Sequence, residues 1–508
     1  MTQETISFEI ENGSFQEIHN LPLLNFNEFK ETLIHHHKNG KRLVALFAVP
    51  KKQHNLLIAI VANDSQKKLY FLQTQIEETY PSLTLAIPSA HLFEREIAEQ
   101  WGIIPKGHPW LKPVRYHASY HKQGRDAWGR ASSKPITPGV FDFFSIKNNQ
   151  IHEVGVGPVH AGIIEPGHFR FQCDGEKVLF LETALGYQHR GIEKALKDGP
   201  NEKTLYYMQT LAGDTTIGHT LAYCHNIEAL SDCKIPMRAE YLRGIALELE
   251  RLANHTGDLG ALSNDIGFLP TASYCGKLRG DYLNLTAELC GSRFGREMLN
   301  PGGVNFDVDD ELIDIILTKL NKTYKLTIDA CNLLWDRPSV MTRFEKTGIL
   351  KNENAQELGI VGLAARASGL KRDVRSDYPL GVYQKKFYSP AHYFSGDVYA
   401  RAFVRFLELQ ESYSYIKYLL NHLPQGPVIA SIPSLKPNAL SLSLVEGWRG
   451  EICHIAITDE KGSFEHYKVV DPSFHNWMGL AYVLRQEKIF NFPLCNKSFN
   501  LSYAGHDL

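Results

Sequence analysis

Residues 160–219 concentrate the side chains that could move protons or hold a metal: His160, Glu165, His168, His189, Arg190, Glu193, Asp214 and His219. Imidazoles and paired carboxylates can be tuned to titrate near neutrality, so such a set could relay protons. A second set lies further along, with Arg366 and Asp373, Asp397 and Arg401, and Arg449 with Glu451. Taken singly, each residue is better explained by an Arg–Asp or Arg–Glu pair that ties helices and loops together. Cys173, Cys224, Cys233, Cys275, Cys290, Cys331, Cys453 and Cys495 are scattered, and no two form a C-x-x-C pair. Cysteine this dilute fits a reducing compartment better than a disulfide framework. His35-His-His37 is not a metal site, because neighbours on a helix point about 100° apart; it reads as a solvated helix end. No glycine-rich loop follows a strand, so no NAD site is expected, and Pro301-Gly-Gly303 reads as a turn.

The elements that must position these residues fall into two blocks. At 508 residues the chain can hold two or three domains. Apolar residues make up 43% and charged residues 22%, which excludes wholesale disorder. A net charge of −2, from 54 basic and 56 acidic residues, gives no reason to expect nucleic acid as a partner. The start Met1-Thr-Gln-Glu-Thr5 lacks the basic and apolar regions of a signal peptide. Apolar runs such as Leu56–Ala62 fall far short of a membrane span. The expected location is therefore the cytoplasm, with membrane association only through partner chains.

Residues 1–115 read as a small α/β domain. Phe26, Phe29 and Leu33 stand at helical spacing before an Asn39-Gly40 stop. Strands are expected at Leu43–Val49, Leu56–Val61, Leu69–Leu72 and Leu83–Ile87, with a polar turn at Pro50–Asn55. Phe93–Ile103 reads as a short amphipathic helix. Residues 116–150, rich in Gly, Ser, Lys, Pro and Asn, read as a linker. From 151 to 508 the chain becomes mainly helical, with apolar stripes along Met237–Leu262 and Tyr399–Leu423.

Two stretches carry a family resemblance. Gly157-Pro-Val-His-Ala-Gly-Ile-Ile-Glu-Pro-Gly-His-Phe-Arg-Phe171 and Leu185-Gly-Tyr-Gln-His-Arg-Gly-Ile-Glu-Lys194 resemble the large subunit of membrane-associated nickel–iron hydrogenases. In altered form both motifs also belong to the 49-kDa, quinone-site subunit of respiratory complex I. Phe93-Glu-Arg-Glu-Ile-Ala-Glu-Gln-Trp-Gly-Ile103 with Gly107-His-Pro-Trp-Leu111 resembles the 30-kDa subunit of complex I. A fusion of the two resembles the large subunits of formate hydrogenlyase and hydrogenase-4-type complexes, over nearly the whole chain. The implied fold class is α+β: a 30-kDa-like α/β domain followed by a mainly helical hydrogenase-large-subunit-like domain.

In that family four cysteines in two C-x-x-C pairs hold the Ni–Fe centre, since soft thiolates suit nickel and iron. Counting back from the helix start His219-Thr-Leu-Ala222, the first pair is replaced by Ala212 and Thr215. In Lys497-Ser-Phe-Asn-Leu-Ser-Tyr-Ala-Gly505 the second pair is replaced by Ser502 and Gly505. No metal or other cofactor is expected in this chain, and hydrogen turnover is not expected. Cys224 and Cys495 read as buried thiols rather than substitute ligands. Complex I uses the emptied cavity for a quinone, contacted by a His and a Tyr at positions that here are Ile164 and Thr210, with Tyr206 and Tyr207 nearby. The resemblance places His160, Glu165, His189, Arg190 and Asp214 around the cavity as proton-relay candidates. It implies an iron–sulfur small subunit and antiporter-like membrane subunits as partners, on the inner face of the cytoplasmic membrane. The expected function is electron transfer to a quinone-like or other acceptor, coupled to ion translocation. The alternatives are a catalytically silent coupling scaffold and a hydrogenase with an unusual ligand set.

Overall fold

The computed structural model describes residues 7–51, 54–121, 125–130, 136, 138–139, 141–162, 164–386 and 388–508. The Met1–Thr5 start and parts of the Pro50–Asn55 turn and the 116–150 segment lie outside the described residues. The N-terminal sheet is antiparallel through Phe8–Ile10, Lys68–Ile76, Asn55–Asn63 and Arg42–Pro50, and Leu23–Leu24 adds in parallel to Lys68–Ile76. The adjacent strands Asn55–Asn63 and Arg42–Pro50 are nearly continuous apolar runs because both faces are covered. The Phe26–Lys38 helix starts on an Asn25–Glu28 capping box and stops at Asn39. The His91–Trp101 helix ends on Gly102, whose φ of 71° suits glycine; a Cβ there would sit 2.5 Å from the Arg125 carbonyl oxygen.

Two expectations are corrected. Leu83–Ile87 is a turn, closed by the Ala86 and Ile87 amides on the Leu83 carbonyl. The buried Glu94 carboxylate takes the Leu83 and Thr84 amides (2.8 and 3.2 Å), leaving them nothing to offer a sheet. The His35–His37 end is not wholly solvated. His36 is 1% exposed, stacks on Tyr70 and is lowered to about 4 by burial and the Lys41 charge.

The region from 151 onward opens with a three-stranded sheet of Ile151–Val156, His168–Asp174 and Lys177–Ala184. Long helices follow at Thr216–Ser231, Met237–Asp265, Leu269–Cys290, Asp310–Trp335 and Val398–Asn421. A second sheet, Ala439–Glu446, Glu451–Thr458 and Phe464–Val470, is extended by Ser14–Glu17 from the far N-terminal side. That sheet shares a core with the N-terminal one, with Val44, Leu46, Leu57 and Ile60 in the same cluster as Leu442, Ile455 and Ile457. Cys224 and Cys495 are buried, as expected.

Candidate functional site

Three segments converge: the Gly157–Gly167 loop, the turn at 210–215 before the Thr216–Ser231 helix, and the C-terminal stretch 500–508. Arg190 joins two of them. Its guanidinium donates to the Thr210 and Leu211 carbonyls (2.6 and 2.9 Å) and reaches the Ala504 carbonyl at 3.5 Å. Glu165 joins the loop to the C-terminal stretch by accepting the Tyr503 amide at 2.9 Å. Arg449 joins the turn to the same stretch through a fork onto Asp214 (2.6 and 2.8 Å) and a bond to the Asn500 carbonyl at 2.5 Å.

The electrostatics follow from this wiring. Burial pushes the Glu165 carboxyl up, against the pull of Arg449. Burial would also raise Asp214, but the Arg449 guanidinium outweighs it and holds that carboxyl below its usual range. Beneath the turn, Glu250 accepts the Ile217 and Gly218 amides at the start of the helix (2.7 and 3.2 Å). Burial nevertheless pushes Glu250 up to about 8, so it holds a proton at neutrality.

The inner face is closed. Ala212, Thr215, Ser502 and Gly505 are all buried. The Thr215 hydroxyl accepts from Trp448 Nε1 and Arg449 (3.1 and 3.2 Å), and the Ser502 hydroxyl accepts the Gly505 amide at 2.9 Å. A Cβ on Gly505 would stand 2.5 Å from Asp471 Oδ2. The outer face is open: Arg190 and Gly213 are exposed, and Val159, Ile164 and Tyr206 show 80%, 48% and 55% of their surface.

The sequence candidates divide cleanly. Glu165, Arg190 and Asp214 meet at this face together with Arg449. His189 stands beside it, stacked on His117 and held by an Nδ1–H bond of 2.6 Å to the Asp507 carbonyl. Burial and His117 lower it to about 4, so Nε2 carries a free lone pair at neutrality. His160 and His168 serve their own loop, on the Gly167 and Gly157 carbonyls. Thr210 bonds the Tyr206 carbonyl through its hydroxyl. The others are ties elsewhere: Glu193 on Lys468, Arg366 on Glu408 and Glu446, Asp373 on Arg375, and Glu451 on Arg42. Asp397 caps its helix and Arg401 holds Ser498. Among the described residues, no group of three or more His, Cys, Asp or Glu is placed to hold a metal ion.

Sequence reasoning missed Arg115, Glu250, Asp471 and Asp507. Arg115 pairs with Glu96 and donates to the His506 carbonyl at 2.7 Å. Asp507 accepts the Gly186 and Gln188 amides (2.8 and 2.9 Å), locking the second motif onto the chain's last residues. Only Asp471 had a readable signal, since Asp471-Pro472 is a helix-start dipeptide and Asp471 does cap Pro472–Val483.

Residues 25–124 match the family described as respiratory-chain NADH dehydrogenase, 30 Kd subunit, and residues 265–440 the 49 Kd subunit. The chain is therefore a fusion of the two modules. It is 28% identical to hydrogenase-4 component G of Escherichia coli over 438 residues, covering 84% of this chain and 76% of that protein. Formate hydrogenlyase subunit 5 of the same organism is 28% identical over 445 residues, covering 84% and 77%. An NADH-quinone oxidoreductase subunit of Clostridium beijerinckii is 30% identical over 322 residues, covering 63% of this chain and 87% of that one. The chain belongs to the respiratory-chain NADH dehydrogenase 49 Kd subunit family.

Proposed function

We propose that this chain is a subunit of a membrane-associated, complex I-like oxidoreductase of the hydrogenase-4 lineage, and that it has lost the Ni–Fe centre. The observation that carries the reading is the convergence of Glu165, Arg190 and the Asp214–Arg449 pair on an open face backed by Ala212, Thr215, Ser502 and Gly505. Those four residues do not fit a Ni–Fe centre. Two carry no side-chain donor, and the two hydroxyls are engaged in hydrogen bonds to the fold. On this reading a quinone-like acceptor lies against the open face, which a partner's surface completes. Arg190 orients it, while Glu165 and His189 handle protons. The electrons arrive from an iron–sulfur cluster in a small partner subunit. Antiporter-like membrane subunits hold the assembly to the inner face of the cytoplasmic membrane, since no described helix is long and apolar enough to cross.

The test is purification of the tagged chain in mild detergent from native membranes, with metal analysis and electron-transfer assays. The reading requires a cysteine-rich small subunit and polytopic chains to co-purify, nickel to be absent, and R190A and H189A to lose at least tenfold in turnover. Full activity in both variants would remove the acceptor from this face. A second reading, a catalytically silent coupling subunit, is favoured by one observation: Asp471 fills the space beside Gly505. It is supported if assembly persists and the variants tolerate every change at the face.

A further inference from the structure

Behind the Ser502–Gly505 turn runs a row of four side chains that no step above uses as a unit. His219 lies in the first turn of the Thr216–Ser231 helix, His454 and Tyr467 on the neighbouring strands Glu451–Thr458 and Phe464–Val470, and Asp471 at the cap of Pro472–Val483. Each is no more than 1% exposed. Asp471 Oδ2 to His219 Nε2 is 3.0 Å, His219 Nδ1 to His454 Nε2 is 3.1 Å, and His454 Nδ1 to the Tyr467 oxygen is 3.0 Å.

Proton counting allows two complete arrangements of this row. Asp471 is a carboxylate that also accepts the Ser473 amide at 2.7 Å, so His219 Nε2 is the donor to it. In the first arrangement His219 is neutral and its Nδ1 accepts from His454 Nε2–H, while His454 Nδ1 accepts from the Tyr467 hydroxyl. In the second, His219 carries protons on both nitrogens, His454 accepts at Nε2 and bears its proton on Nδ1, and the Tyr467 oxygen accepts. The three contacts along the row are kept in both, the Tyr467 O–H turning away from His454 in the second, and the two differ by one proton.

We propose that Asp471, His219, His454 and Tyr467 form a one-proton store behind the open face. One proton taken from solvent turns His219 into an imidazolium against the Asp471 carboxylate, reverses the tautomer of His454 and turns the Tyr467 hydroxyl. Its release restores the first arrangement, and no electron moves within the row. Burial and the His219 ring keep His454 itself from charging. Arg449 faces the carboxylate end, with Asp214 beyond it, and Tyr223, Cys224, Cys453 and Asn226 surround Tyr467. Its use in turnover rests on the acceptor reading above: reduction of a quinone-like molecule consumes protons, and the store would supply one.

The experiment is a pH titration of the full chain labelled with nitrogen-15 histidine, following both ring nitrogens of His219 and His454 between pH 5 and 9. Signals are assigned with H219Q and H454Q. The store predicts one shared midpoint, at which His219 gains its second ring proton and His454 exchanges its proton-bearing nitrogen. D471N should lower that midpoint by a unit or more, a tenfold weaker proton affinity. A His454 tautomer fixed over the whole range, or separate midpoints for the two rings, would overturn it. The wild-type titration alone decides the matter if D471N does not fold. It needs neither acceptor nor partner, so its failure leaves the assignment of the open face standing, and failure of R190A and H189A to lose turnover leaves the titration intact.

Discussion

Replacing Gly505 by alanine tests whether the inner face is a filled core. The new Cβ would lie 2.5 Å from Asp471 Oδ2 and 2.6 Å from its Cγ. Asp471 cannot yield freely, since it is held by His219 at 3.0 Å and the Ser473 amide at 2.7 Å. Withdrawal by half an ångström takes the His219 bond to the edge of useful geometry, roughly 3.5 Å. Overpacking costs about 1–3 kcal/mol. Loss of a bond to a charged group adds about 1.5–3 kcal/mol. Removing a glycine from a helical turn returns about 1 kcal/mol. The net expectation is a loss of about 1.5–5 kcal/mol, or several degrees in the unfolding midpoint. A chain of this size unfolds in more than one step, so the decisive assay is local: hydrogen exchange at residues 501–508 and 216–222. Faster exchange in both segments is expected. A G505A protein with wild-type exchange and midpoint would refute the idea that Asp471 occupies this space.

Glu250, raised to about 8, binds its proton more tightly in the folded chain than in the unfolded one, where a glutamate titrates near ~4.3. Its contribution to stability therefore falls as pH rises from about 4.5 to about 8 and levels off above. E250Q keeps an acceptor for the Ile217 and Gly218 amides, so its stability should gain on wild type across that window. Parallel denaturation curves at pH 5 and 8 would count against the shift. R115M strands Glu96 with Lys468 alone and releases the His506 carbonyl. It should cost about 3 kcal/mol in denaturant unfolding and speed exchange at 503–508, and a silent variant would show that the C-terminal stretch stands without this support.

What the sequence showed was local. The helix at Phe26–Lys38 and the long helices at Met237–Asp265 and Val398–Asn421 carry their own periodicity and stops, and are where they were expected. The Glu94–Glu99 stretch misleads, because its charges look like a solvated face. Glu94, Glu96 and Glu99 are in fact buried, satisfied by groups that sequence distance hides: Thr84 and Leu83, Arg115 and Lys468, and the amides of 114–116. The site shows the same split. Glu165, Arg190 and Asp214 were legible through their motifs, and Asp471 through its helix-start dipeptide, whereas Arg115 and Asp507 act through contacts to residues far along the chain, with no local pattern.

The pairing of Ser14–Glu17 with Ala439–Leu442 bears on how the chain is made. Asn12 clasps the backbone of Leu444, 432 residues away, through both its amide nitrogen and its oxygen (3.1 and 2.7 Å). At synthesis rates of roughly 5–20 residues per second, that partner leaves the ribosome roughly 20–90 s after its mate. For that interval an early strand waits with an unpaired edge, open to neighbouring nascent chains. Production of this protein should therefore depend on a chaperone that shields the first translated segment, and slowing translation should lower the yield rather than raise it.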